Sequence, residues 1–303
     1  MKSFGYRQVN DLKMYFYNKS SFMRSSLLIL ILFTLVFSSC KKDDAPEQDM
    51  SVTMLNVSYG TNAQQKMDVY LPATRSATTT KVMIMIHGGG WNTGDKVDFN
   101  EYVDSLKKRE PSYAIFNINY RLANTPDLFP AQELDVKAAV EFIYNKRQEY
   151  NISDKFVLVG GSAGAHLALL QGYKYSTSVK PKAIIDFFGP TELISMYNNP
   201  PNPLVQPTLL SVTGGTPTTN NSLYTQSSPI NFVSVQSPPT MIFHGGTDIV
   251  VSPSQSVLLD TKLQTAGVVH QYFFYPTEGH GWVGANLSDS FNKIQAFLAA
   301  NVQ

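Results

Sequence analysis

A chain of 303 residues has room for one large domain plus extensions. Hydrophobic residues make up 43% and charged residues 16%, which reads as a globular protein able to bury a core. The net charge is +1 and no long basic run follows the N-terminal region, so there is no field to attract nucleic acid.

Residues 1–22 carry no fold signal and are read as an extension ahead of the true start at Met23. Arg24 then precedes an apolar run over residues 27–37, followed by Ser38-Ser39-Cys40. That run is short for a membrane span and has the layout of a secretory signal. Cys40 is the only cysteine, so neither a disulfide nor a thiolate metal site is available to the fold. Its position resembles a bacterial lipobox, with Phe37 where leucine is usual. The resemblance implies that residues 23–40 are a lipoprotein signal and that Cys40 becomes the lipidated N-terminus. The expected location is therefore the bacterial outer membrane, on its periplasmic or outer side. Cys40-Lys41-Lys42-Asp43-Asp44 also resembles the lysine-plus-acidic export signal of some surface lipoproteins, and reads equally as a solvated tether. Residues 41–50 are polar and unpatterned, as in a flexible linker.

From residue 51 onward, strand and helix patterns alternate. "SVTMLNVSYG" and "QKMDVYLP" read as an antiparallel opening pair. "KVMIMIH" is a continuous apolar run, as in a strand buried on both faces. "EYVDSLKKRE" reads as a helix and "YAIFNINY" as a strand. In "PAQELDVKAAVEFIYNKRQEY", Val136, Ala139, Val140 and Ile143 form one helical stripe. "KFVLVG" is a strand leading into a helix, and "KAIIDFFG" and "TMIFHG" are further strands. "PSQSVLLDTKLQTAG" is a helix stopped by Gly267, and "HQYFFYP" is a strand. "SDSFNKIQAFLAANV" closes the chain as a helix capped by Ser288 or Asp289. This alternation predicts an α/β fold with a mostly parallel central sheet and helices on both faces. Residues 191–239 break the rhythm. Their Asn, Pro, Ser and Thr clusters predict an irregular cap or lid insertion.

The chemistry concentrates at a few strand ends. Gly160-Gly161-Ser162-Ala163-Gly164 fits G-x-S-x-G between a strand and a helix, the context of a nucleophile elbow. The turn is so sharp that positions two away must lack side chains. A serine hydroxyl is a weak nucleophile and needs a base, which in turn needs an orienting acid. His87-Gly88-Gly89-Gly90-Trp91 directly follows a buried strand. The N–H groups of such glycines, with that of Ala163, can face a carbonyl oxygen as charge develops on it. Of the five histidines, His280 follows a strand in "YPTEGHGW" and is the candidate base. His87 belongs to the glycine motif, His166 is read as packing, His244 as supporting the acid loop, and His270 starts a strand at the wrong end. Asp248, in "FHGGTDIVV", is the candidate acid, and Asp186, in "AIIDFFG", is its rival. Trp91 and Trp282 are read as packing at the loop bases, with stacking on sugar or aryl rings as the alternative.

Together "HGGGW", "NYRLA", "DVKAAVEFI", "GGSAGAHLA", "SPINFV", "PPTMIFHGGTDIVV" and "EGHGW" resemble α/β-hydrolases of the esterase/lipase type. They resemble especially the small bacterial esterases grouped with bifunctional feruloyl and acetyl xylan esterases, and their kynurenine formamidase-like relatives. That resemblance implies a triad of Ser162, Asp248 and His280 and an oxyanion hole of Gly89, Gly90 and Ala163. It implies a serine carboxylesterase that needs neither metal nor cofactor. The substrate would be a small or polysaccharide-linked ester with a short acyl or aryl group, such as the acetyl and feruloyl esters of plant polysaccharide. An amide hydrolase of the formamidase or peptidase type is the second reading. A non-catalytic glycan-binding surface lipoprotein is the third.

Overall fold

The computed structural model describes residues 50–175 and 179–303. Cys40, the 27–37 run and the tether before residue 50 lie outside the described residues. Among those described, no helix is long and apolar enough to cross a membrane.

Eight strands form one sheet: β1 (Val52–Ser58), β2 (Lys66–Leu71), β3 (Lys81–Ile86), β4 (Tyr113–Ile118), β5 (Phe156–Gly161), β6 (Ala183–Phe187), β7 (Thr240–Gly245) and β8 (His270–Tyr275). Their spatial order is β1-β2-β4-β3-β5-β6-β7-β8. β1 pairs antiparallel with β2, and β2 with β4. Every other pairing is parallel. The mostly parallel α/β sheet expected from the alternation is what the chain builds.

The helices are α1 (Asn100–Arg109), α2 (Ala131–Asn145), α3 (Ala163–Lys174), α4 (Leu193–Asn198), α5 (Val205–Thr213), α6 (Asn221–Gln226), α7 (Ser254–Thr265) and α8 (Gly284–Asn301). β3 explains why its run is apolar throughout. Val82, Ile84 and Ile86 face one core, shared with α2, α3 and α7. Met83 and Met85 face the other, shared with α1 and α8. A strand whose two faces are both covered has no polar side to show in its sequence. The α2 stripe is completely buried: Val136, Ala139, Val140 and Ile143 have no exposed surface.

Two expectations need correction. Residues 191–239 are not an irregular loop, because they contain α4, α5 and α6. Leu193, Met196, Val205, Leu209, Val212 and Tyr224 from this segment are buried in the first core. Val205, Leu209 and Val212 keep helical spacing, but the segment is too short for the pattern to stand out among its Asn and Pro clusters. Those clusters link and end the helices. The carboxylate of Glu192 caps α4 by accepting from the N–H groups of Ile194 and Ser195, and Gly214 ends α5 at φ 71°. The second correction concerns α8, which starts at Gly284 rather than after Ser288 or Asp289. Asp289 is instead paired with Lys293 one turn on and accepts from the hydroxyl of Tyr275. A polar residue with such partners serves inside a helix as well as at its start.

Candidate active site

The G-x-S-x-G turn joins β5 to α3 at the carboxyl end of the sheet. Ser162 sits there at φ 54°, ψ −122°, a conformation that a non-glycine residue adopts only under strain. Backbone bonds hold it: Ser162 N donates to Phe187 O at 2.8 Å, and Ser162 O accepts from His166 N at 3.0 Å. The flanking glycines are steric requirements. A Cβ on Gly160 would strike the backbone of Gly164 and Ala165, and one on Gly164 would strike the carbonyls of Ile86 and His87. The elbow is thus pressed directly against the end of β3.

That end of β3 carries the glycine loop. Gly89 and Gly90 have φ of 109° and 56°, which glycine adopts without a Cβ penalty. The hydroxyl of Tyr120 donates to the carbonyl oxygens of His87 and Gly88 at 3.1 and 3.3 Å. The carbonyl of Gly89 accepts from Thr93 N at 2.9 Å. In a trans peptide the N–H points opposite to the C=O. With the Gly88 and Gly89 carbonyls turned toward Tyr120 and Thr93, the N–H groups of Gly89 and Gly90 point the other way. Gly88, Gly89, Gly90, Ser162 and His280 line one cavity of about 340 Å³. Ala163 opens α3, so its N–H is among those without a partner inside the helix.

His280 and Asp248 come from loops that follow neighbouring strands, β8 and β7. Two glycines let these loops touch. A Cβ on Gly245 would meet the carbonyls of Glu278 and Gly279, and one on Gly246 that of Pro276. Thr247 N then donates to Glu278 O at 2.8 Å. Across this junction, Nδ1 of His280 lies 2.7 Å from Oδ2 of Asp248. A carboxylate only accepts, so Nδ1 carries the proton and Nε2 is left basic. The other carboxylate oxygen accepts from Val250 N and Val251 N at 2.8 and 3.0 Å. Burial alone would raise the Asp248 carboxyl. Hydrogen bonds from His244, His280 and the Val251 N–H outweigh it and hold the group well below the usual carboxylate range.

The structure therefore brings Asp248 to His280 and leaves the rival elsewhere. Asp186 is fully buried within β6 and accepts from Gly189 N at 2.8 Å. Burial pushes its carboxyl up to about 7. His166 is also buried. It accepts from Trp91 Nε1 at Nδ1 (3.1 Å), and its Nε2 lies 2.6 Å from the Ser227 carbonyl. Burial pushes it down to about 4, so it stays neutral and packs. Trp91 and Trp282 are both buried, with the Trp282 indole N–H donated to Ser290 at 3.0 Å.

A family model, BD-FAE, matches residues 67–263 of this chain. The chain is a member of the BD-FAE family. Among curated proteins, this BD-FAE member is 26% identical to Esterase LipQ of Mycobacterium tuberculosis over 238 residues, 73% of this chain and 55% of that protein. It thus spans about half the length of this curated relative. Among solved structures it is similar to a bifunctional GH43-CE protein from Bacteroides eggerthii. That match has a TM-score of 0.70 and 25% identity, and covers 80% of this chain and 38% of the other. A truncated form of a carbohydrate esterase from gut microbiota shares the fold, with a TM-score of 0.69 and 24% identity, covering 82% and 98% of the two chains.

Some residues that shape the site have no distinct signal in the sequence. His244 was expected to support the acid loop, but not to lie on the acid itself. Its Nε2 is 2.9 Å from Val251 O and 3.3 Å from Asp248 Oδ2. Both are acceptors, so Nε2 carries the proton, and the hydroxyl of Ser256 donates to Nδ1 at 2.7 Å. The histidine four residues before Asp248 was the signal available. Phe188, at φ 48°, lays its ring 4.6 Å from that of His280. Nothing in "IDFFG" distinguishes it from a core phenylalanine.

Proposed function

We propose that this chain is a serine carboxylesterase. Ser162 attacks the ester carbonyl and His280 takes its proton at Nε2. The N–H groups of Gly89, Gly90 and Ala163 hold the oxyanion, and Asp248 keeps the imidazole in the tautomer with Nε2 free. His280 then gives the proton to the leaving alcohol, and a water activated by the same nitrogen releases the acid. The observation that carries this reading is the 2.7 Å His280–Asp248 hydrogen bond, made by a histidine that shares one cavity with a strained Ser162. The names of Esterase LipQ and of the truncated carbohydrate esterase support an ester rather than an amide substrate. Acetyl and feruloyl esters of plant polysaccharide are the first set to assay. The test is turnover of an aryl acetate beside the matching aryl anilide. Ester cleavage faster by several orders of magnitude is expected, and comparable rates would move the chain to the amide hydrolases.

We further propose export and lipid anchoring through Cys40, supported by the apolar run before it. Cys40→Ser is expected to abolish incorporation of labelled fatty acid and to release the protein from membranes. An unlabelled wild type would end this part of the proposal.

A further inference from the structure

Ser162 stands at the junction of two cavities of different character. The first, described above, is walled by aromatic rings, including Phe99, Tyr102 and Phe188, and contains His280. The second is a trough of about 650 Å³ that also opens on Gly90 and Ser162 but does not include His280. Its walls are mainly aliphatic: Met196, Leu204 and Leu209 come from the insertion, and Ile249, Val250 and Val251 from the acid loop, with Trp91 beside Gly90 at the Ser162 end. The two sides are tied by Asn202, whose Nδ2 donates to Ile249 O at 2.5 Å.

Resting on the esterase reading, we infer that this trough holds the acyl group, and that the preferred acyl group is a straight alkyl chain of the hexanoyl class. The direction follows from the proton. When the tetrahedral intermediate collapses, the bond from carbon to the alcohol oxygen breaks and that oxygen takes the proton from His280 Nε2. The leaving alcohol must then lie on the His280 side, in the aromatic cleft. The acyl chain stays bonded to Ser162 Oγ and extends the other way, past Gly90 into the trough. Water later adds to the acyl carbon, Ser162 Oγ leaves with a proton, and the free acid departs.

The class follows from size and chemistry. The trough is within the range of cavities that enclose whole small-molecule ligands, so an acetyl group would leave most of its apolar wall facing water. Each methylene buried there is expected to raise kcat/KM about fourfold. Leu204 and Ile249 are 74% and 68% exposed at the rim, so apolar wall continues to the outer end of the trough. Trp91 is the single aromatic ring of the lining and is buried with its indole N–H on His166, whereas the other large apolar side chains are aliphatic, which favours an alkyl over an aryl acyl group.

The experiment is a kcat/KM series on p-nitrophenyl acetate, butyrate and hexanoate, with the reversed pair ethyl hexanoate and hexyl acetate, and methyl hexanoate beside methyl ferulate. The expected result is a rise on the order of a hundredfold from acetate to hexanoate. Ethyl hexanoate should also be cleaved faster than hexyl acetate. Leu204→Asp places a charge at the exposed rim and should lower the hexanoate-to-acetate ratio several-fold. A flat series with acetate readily cleaved would overturn the acyl assignment and leave the esterase standing. Preference for hexyl acetate would reverse the two cavities, and preference for methyl ferulate would replace the alkyl chain with an aryl one. If no ester is cleaved at all, the esterase reading fails and takes this inference with it.

Discussion

Ser162→Ala is expected to lower ester turnover by roughly a millionfold, the scale seen when a triad nucleophile is removed. The fold should survive. The bonds that hold the elbow run through the backbone of residue 162, to Phe187 O and from His166 N, and alanine keeps both. Its Cβ occupies the place of the serine Cβ, and the strained φ is the same for either residue. The thermal midpoint should therefore move by no more than about 2 °C. Turnover of a p-nitrophenyl ester, read beside a melting curve, checks both halves. A variant that melts like the wild type but keeps about a tenth of its activity would remove Ser162 from the nucleophile's role.

Much of this site is legible in the sequence because backbone sterics restrict which residues it tolerates. Gly160 and Gly164 face backbone atoms with no room for a Cβ, so the elbow has to be written in glycine. The same holds for Gly245 and Gly246, where the acid loop and the His280 loop press together. Buried parallel strands are legible for a related reason, as Val82 to Ile86 need apolar side chains on both faces. What the sequence hides depends on partners distant in the chain. α5 is recognisable only once Leu209 and Val212 are seen to face the core, and its polar neighbours dominate the local composition. His244 is one of five histidines. Only the return of the chain to Val251 and Ser256 shows what it touches. The trough is equally hidden, because its two walls come from segments separated by about forty residues that meet only in the folded chain, beside Ser162.

Asp248→Asn and Asp186→Asn should separate two carboxylates that the sequence alone left in competition. For Asp248→Asn the expected loss of turnover is about ten-thousandfold, because an amide that presents its N–H to His280 favours the wrong imidazole tautomer. The carboxyl fold itself is kept, since the amide oxygen can still accept from Val250 N and Val251 N. Asp186→Asn should leave turnover within a few-fold of wild type, because Asp186 is bonded to Gly189 N rather than to His280. Its effect belongs to stability. The folded Asp186 carboxyl sits at about 7, above its ordinary value of 3.8, because burial penalises the charged form. A raised folded value contributes stability that is present below the unfolded value and lost as pH rises through the folded one. Between about pH 4 and pH 7 this group therefore removes up to about 4 kcal/mol from the wild type, and asparagine, which does not titrate, removes none. His166 works in the opposite sense: its folded value is depressed to about 4, so its contribution is gained as pH rises over much of the same window. His87, also lowered by burial, acts in the same sense as His166, and Asp186 opposes both in the wild type, so stability should climb more steeply with pH in Asp186→Asn than in the wild type. Denaturant unfolding of both proteins at pH 4.5 and pH 7 reads the difference. Equal slopes would place the Asp186 carboxyl near its ordinary range, and a turnover loss larger for Asp186→Asn than for Asp248→Asn would make Asp186 the acid of the triad.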